Sequence, residues 1–237
     1  MATALVTGAT SGIGRAVALA LAGAGYRTHA LGRNLAALED LRAVPNIVPL
    51  ACDLTDREAV AALVEGLEID VLVNNAGIVP PVVPFAEMAE GDLDAVIEVN
   101  LSAVLHLTRA VVPGMIARGR GDVIFTGSTA GHAAAAKYAV YGASKAAVSS
   151  FAAALRAELS PAGVRVTEVV AGRVETGLYR GVFDAEQRAA MYAGAQAVQP
   201  EDVAAMVMAA VSLPQGASVA RFDIVPTRPT TPAGARA

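Results

Sequence analysis

Tryptophan is absent from this 237-residue chain, and cysteine occurs once, at Cys52. One thiol excludes an internal disulfide and makes a reducing cytoplasm the expected setting. Aromatic residues are 4% of the chain against 54% hydrophobic overall, so Ala, Val and Leu must fill the core. Charge is sparse too: 17% of residues, a formal net charge of −4 and no basic block, which argues against a nucleic-acid surface. The opening MATALVTGAT lacks the basic start of a signal peptide and meets a glycine turn too early for one. The longest uncharged run, 203–220, is interrupted by Pro214, Gln215 and Gly216 and falls short of the about 20 apolar residues that span a membrane. No metal-ligand spacing occurs. The expectation is a soluble, cytoplasmic protein with no membrane, nucleic-acid or metal partner.

What is present alternates. Strand-like runs at 3–7, 27–31, 47–51, 70–74, 122–127, 165–170 and 219–225 are separated by helical patterns near 12–24, 35–43, 56–66, 92–118, 141–160 and 200–213. Such alternation predicts parallel βαβ units with right-handed crossovers and helices on both faces of a sheet. No linker or repeat breaks the pattern, so residues 1–237 read as one doubly wound α/β domain. Ligands in such folds bind outside the carboxyl ends of the strands, and most of the chemically notable residues follow a strand-like run.

After the first strand, Thr7–Gly14 reads TGATSGIG. Gly8, Gly12 and Gly14 permit a tight turn and let backbone approach a pyrophosphate at a helix N-terminus, where free N–H groups favour anions. Thr10, Ser11 and Ile13, between the glycines, join them as expected cofactor contacts. The second strand ends in ALGRN, with Arg33 and Asn34 where an NAD-specific fold places an acid. Arg33 can fork onto a 2′-phosphate, which makes NADP(H) the expected cofactor over the alternative of a surface arginine opening the next helix. Asp53, followed by Leu54, is expected to face the adenine amino group; its alternative is a helix cap, which Asp56 or Thr55 could equally supply. In NNAG, Asn75, Ala76 and Gly77 are expected to let the cofactor lie close, although paired asparagines also form ordinary turns.

Lysine is the scarcest cation: only Lys137 and Lys145 occur, beside sixteen arginines. Lys145 stands four residues after Tyr141, on the same face of a helix. A free tyrosine has a pKa of about 10, and a nearby ammonium and a cationic nicotinamide would each favour its phenolate. That would bring it into the range of a general acid–base. The alternative is a half-exposed tyrosine beside a solvated lysine. Ser128, thirteen residues before Tyr141 in FTGSTAG, could bind a substrate oxygen, or simply form the turn.

Together TGATSGIG, NNAG, a serine and YGASK, in this order and spacing over nearly the whole length, resemble the short-chain dehydrogenase/reductase family. The resemblance implies a Rossmann-like domain with a seven-stranded parallel sheet, and homotetramers or dimers formed through long helices, here near 92–118 and 141–160. It implies Tyr141 as acid–base, Lys145 as its ribose-binding, pKa-lowering partner and Ser128 as the residue that orients the substrate oxygen. It also implies that Asn100 holds a helix bend and a relay water, whereas from its chemistry alone Asn100 is only a polar residue interrupting a helix. Thr176 resembles the threonine that contacts the nicotinamide carboxamide or pyrophosphate. One departure stands out: the usual Pro-Gly after the sixth strand is Ala171–Gly172, which should loosen the clamp around Val174 and Thr176, and Arg173 is unusually polar for that loop. ALGRN, STAG and the tail IVPTRP (224–229) are similar to bacterial NADP-dependent 3-hydroxy acid dehydrogenases and broad-specificity carbonyl reductases.

The resulting expectation is an NADPH-dependent reductase of small carbonyl compounds, reversible as an alcohol dehydrogenase. The rival is an NADP-binding sensor or interaction protein without turnover. The segment 177–188 is expected to close over the substrate as a lid, with Arg180 either forked onto a substrate carboxylate or solvated. His29 and His106 are expected in core or interface packing, His132 at the substrate mouth, and Cys52 as a small buried apolar residue.

Overall fold

A computed structural model describes residues 1–193 and 197–228; Pro229, the last residue of the IVPTRP tail, lies outside them. Seven strands form one parallel sheet in the order β3-β2-β1-β4-β5-β6-β7. They are β1 (Thr3–Thr7), β2 (Arg27–Gly32), β3 (Ile47–Ala51), β4 (Val71–Asn74), β5 (Gly121–Ser128), β6 (Val164–Ala171) and β7 (Arg221–Ile224). The helices are α1 (Gly12–Gly23), α2 (Leu35–Arg42), α3 (Arg57–Val64), α4 (Glu90–Ile97), α5 (Ala103–Arg118), α6 (Ala139–Leu159), α7 (Ala185–Tyr192) and α8 (Pro200–Val211). All seven expected strands are present.

Alternation along the strands divides the core. Ala4 and Val6 of β1 join α1 and α8 on one side, while Leu5 joins α3, α5 and α6 on the other. Because β1 pairs with both β2 and β4, strand order reverses there and opens a crevice at the carboxyl ends.

Two expectations about helices are corrected. The single helix near 92–118 is three pieces: a π-helical turn, Glu98–Ser102, joins α4 to α5 and carries the buried Asn100. The Asn100 side chain is the reason, since it bonds outward to Ile78 and Ser144 and draws a bulge from the helix. The stretch Glu90–Arg118 is long and apolar enough by composition to cross a membrane, yet Val104, Leu107, Val111 and Met115 pack into the sheet-covering core. The second is α7, which is absent from the expected helices and overlaps the end of the segment 177–188 expected as a lid. Asp184 and Gln187 form a capping box that starts it.

Candidate active site

A cleft of about 360 Å³ runs along the carboxyl ends of the strands, and its walls include every expected cofactor contact except Gly14. Its floor is the turn after β1. Gly8 and Gly12 have φ of 65° and 50°, values that side chains rarely tolerate. A Cβ on Gly14 would lie 2.3 Å from the Gly8 carbonyl oxygen and 2.5 Å from Asn75 Nδ2. The Thr7 hydroxyl accepts hydrogen bonds from the Asn75 and Ala76 amides at 2.9 and 3.0 Å, locking the NNAG segment to this turn. Ser11 precedes α1 without capping it through its side chain, and the first turn carries no acid. The amides of the first turn of α1 are therefore available to an anion such as a pyrophosphate. Replacing Gly14 by Ala should push a methyl group into backbone, cost about 1–3 kcal/mol of stability and abolish dinucleotide binding. Chemical unfolding and NADPH titration would measure both.

At the far end of the cleft, Arg33 Nη1 pairs with Asp53 Oδ2 at 3.2 Å. Both side chains are substantially exposed, so the pair is weak and easily exchanged for another anion. Asn34 caps α2 by accepting from the Ala37 amide at 3.1 Å. Asp53 is not the cap of α3, which is Asp56. Its Oδ1 accepts from the Thr55 amide (3.0 Å) and hydroxyl (2.9 Å), and the Thr55 amide is the main cause of its lowered pKa. Leu54 also borders the cleft, as does Cys52, which is only half-buried, contrary to expectation. Burial, with the charges of Asp56 and Asp53, pushes the Cys52 thiol pKa up, which disfavours the thiolate.

At the other end, α6 presents Tyr141 and Lys145 to the cleft, and Ser128 closes β5 beside them. The Lys145 ammonium donates to the Thr126 carbonyl at 2.9 Å. Asn100 accepts from the Ile78 amide (2.8 Å) and donates to the Ile78 carbonyl (2.9 Å), gripping the chain just past Gly77. A Cβ on Gly77 would meet Asn100 Oδ1 at 3.2 Å and Lys145 Nζ at 3.7 Å, so glycine lets these three elements meet. The expected lowering of the Tyr141 pKa is not found in the protein alone. Burial (6% exposed) pushes the phenol up, and the hydrogen bond with Ser128 opposes that only in part. Burial likewise pushes Lys145 (7% exposed) down to about 8, against the pull of the Glu168 carboxylate. Desolvation outweighs the opposing contact in each case, Ser128 for Tyr141 and Glu168 for Lys145.

The third wall follows β6. Ala171 remains in the sheet, registered with Ser128 and Ile224, and the Gly172 amide donates to the Ile224 carbonyl at 2.8 Å. Val174 forms a bridge with Val198. The segment is thus pinned on both sides, rather than loosened by the missing proline. Thr176 caps a 3-10 turn, Gly177–Tyr179, by accepting from the Leu178 amide at 3.3 Å, and its methyl faces Gly12. Arg173 donates to the Met191 carbonyl at the end of α7 at 3.1 Å. Arg180 is exposed and folds against Gly177, outside the residues lining the cleft, so it does not take the inward position considered for it.

Leu178 and Tyr179 line the cleft although the sequence did not single them out. Tyr179 stacks on Phe183 at 5.7 Å, and an aromatic three residues past Thr176 was the available signal. His29 is buried in β2, its pKa lowered chiefly by burial, as expected of packing. His106 is exposed on α5, so core packing does not describe it. His132 does not line the cleft; it turns toward Ser149 of α6, Glu168 of β6 and Arg221 of β7.

Residues 2–187 match the family model described as short chain dehydrogenase. An uncharacterized short-chain type dehydrogenase/reductase of Sinorhizobium fredii, y4eK, is 47% identical over 94% of this chain and 91% of its own. The NADP-dependent 3-hydroxy acid dehydrogenase YdfG of Salmonella typhi is 34% identical over 94% of each chain. Among solved structures, the closed form of a serine dehydrogenase complexed with NADP+ superposes with a TM-score of 0.93 at 32% identity, covering 97% of both chains. The seven-stranded sheet, the glycine turn and these matches agree, and the chain belongs to the short-chain dehydrogenase/reductase family.

Proposed function

We propose that residues 1–237 form one NADP(H)-dependent oxidoreductase domain that interconverts a small carbonyl compound and its alcohol. The observation that carries this reading is the convergence of Tyr141, Ser128 and Lys145 at one end of a cleft whose other end presents Arg33. The glycine turn fits the cofactor, because Gly8 and Gly12 adopt positive φ and line the cleft as bare backbone, and Gly14 lets the helix start pack against the Gly8 carbonyl oxygen. Arg33 and Asn34 would take the 2′-phosphate, Asp53 the adenine edge, and Val174 and Thr176 the nicotinamide end. When bound, NADP(H) supplies or accepts the hydride.

In the reductive direction the Tyr141 phenol donates its proton to the substrate oxygen, while the Ser128 hydroxyl donates a hydrogen bond to the same oxygen. The raised phenol pKa keeps that proton in place until substrate arrives. The Lys145 ammonium stabilises the phenolate left behind, and Asn100 holds the Gly77–Ile78 backbone against Lys145. A 3-hydroxy acid and its 3-oxo counterpart are the proposed substrate pair; the YdfG relative is named for 3-hydroxy acids, and serine is itself one. A cytoplasmic homodimer or tetramer, joined through the outer faces of α5 and α6, completes the proposal.

The test is NADPH oxidation against a panel of β-keto acids, aldehydes and ketones, with turnover of at least one small member expected. NADPH binding without turnover across the panel would leave a sensor instead. The parent should also prefer NADPH over NADH, since a charge-assisted hydrogen bond contributes about 1.5–3 kcal/mol, or about ten- to a hundredfold. Arg33→Asp should erase or reverse that preference in a binding titration. Equal affinities in the parent would remove the 2′-phosphate role.

A further inference from the structure

Glu168 is the only acidic residue in the buried set among the described residues, at 5% exposure in the middle of β6. Its carboxylate fills the space left by Gly127 of β5, where a Cβ would lie 2.2 Å from Oε1. Oε2 accepts a hydrogen bond from Ser149 Oγ at 2.9 Å, one helical turn beyond Lys145 on α6. Oε1 accepts none; His132 Nε2 stands 3.5 Å away, and its ring meets Arg221 Nη1 at 3.3 Å. Lys145 holds the carbonyl of Thr126, the residue directly before Gly127. Carboxylate and ammonium therefore sit at adjacent residues of β5, beneath one face of α6.

We propose that Glu168 is a positioning residue for the active-site lysine: its buried carboxylate holds Lys145 in the ammonium form through the neutral pH range. A buried carboxylate is costly unless it is paired, and no step of the proposed reaction uses Glu168 directly. Burial already brings Lys145 down to about 8, and Glu168 is the neighbouring charge that works against it. The other groups facing Lys145 are Tyr141 on its own helix, Asn100 from the π turn and the Thr126 carbonyl, none of them an anion at neutral pH. The groups facing Glu168 are Ser149 from α6, His132 from the turn after β5, and Arg221 from β7, which pairs in turn with Asp223. That turnover needs a charged Lys145 rests on the function proposed above; the titration of Lys145 does not.

The two-lysine composition supplies the probe. Protein labelled with carbon-13 at the lysine ε position gives two resonances, and Lys137→Arg assigns them. In the parent, Lys145 should titrate near pH 8. In Glu168→Gln, which keeps the shape and an acceptor for Ser149, its midpoint should fall by about one unit or more, while Lys137 stays put. Glu168→Asp, with its charge one methylene further back, should shift it less in the same direction. The ratio of parent to Gln-variant kcat should widen with pH, from near equality at about pH 6 to about fivefold at about pH 8; a purely structural role would leave that ratio constant. An unmoved Lys145 midpoint in a folded Gln variant overturns the proposal, and if that variant does not fold, an unmoved midpoint in Glu168→Asp does so. A shifted midpoint in a protein that turns over no carbonyl compound would sink the function and leave this inference standing.

Discussion

Tyr141→Phe is expected to lower kcat for NADPH-dependent reduction by about a thousandfold, within the contribution of a positioned general acid. NADPH affinity should stay within about threefold, because only one hydroxyl is removed and its known partner is Ser128. The ring remains, so the packing of this nearly buried side chain is preserved. Steady-state kinetics with a β-keto acid, beside a cofactor titration, separate the two effects. Activity within a few-fold of the parent would show that another group delivers the proton. Weak NADPH binding would instead place Tyr141 in the cofactor site.

Lys145→Met should do two opposite things. Turnover should fall to background, with loss of the cation beside Tyr141. Stability near neutral pH should rise. Burial lowers the lysine from 10.5 to about 8, a penalty on the charged form of about 3 kcal/mol at about 1.4 kcal/mol per unit. Losing the 2.9 Å bond from this charged donor to the Thr126 carbonyl takes back about 2 kcal/mol, for a net gain of about 1 kcal/mol. The penalty is fully present below the folded-state pKa near 8. It fades as pH rises towards the unfolded value of about 10.4, where lysine is neutral in both states. The advantage of the Met variant in urea unfolding should therefore narrow over that window. A variant less stable than the parent at neutral pH would show that Lys145 supports the fold rather than function at the fold's expense.

Local signals carried far in this chain. Apolar runs bounded by turns were enough to locate the strands, and TGATSGIG placed the glycine turn, because a tight turn and close backbone approach depend on a few adjacent residues. The four-residue spacing of Tyr141 and Lys145 put them on one helix face, and the structure places both in the cleft. What stayed hidden depends on contacts made across the sheet. Glu168 looks like any strand acid until β5 supplies Gly127 and α6 supplies Ser149. His132 follows Ser128 by four residues, yet its partners are Ser149 of α6 and Glu168 of β6, neither of which lines the cleft. The π turn at Asn100 needs Ile78 and Ser144 to draw it out. In the protein alone burial sets the direction at Tyr141, and depth of burial, unlike adjacency to Lys145, is not visible in sequence. Helix α7 was legible after all: Asp184 and Gln187, three apart, are a capping-box signature that its weak apolar pattern obscured.

The most direct test follows a single atom. NADPH carrying deuterium at the transferable C4 position is incubated with the protein and a small β-keto acid or aldehyde, and the product is read by mass spectrometry and NMR. Deuterium on the carbinol carbon of the alcohol is the predicted result with the parent protein, reduced to trace in Tyr141→Phe. Bound, undepleted deuterated NADPH and no labelled alcohol from any member of the panel would contradict hydride transfer in this cleft.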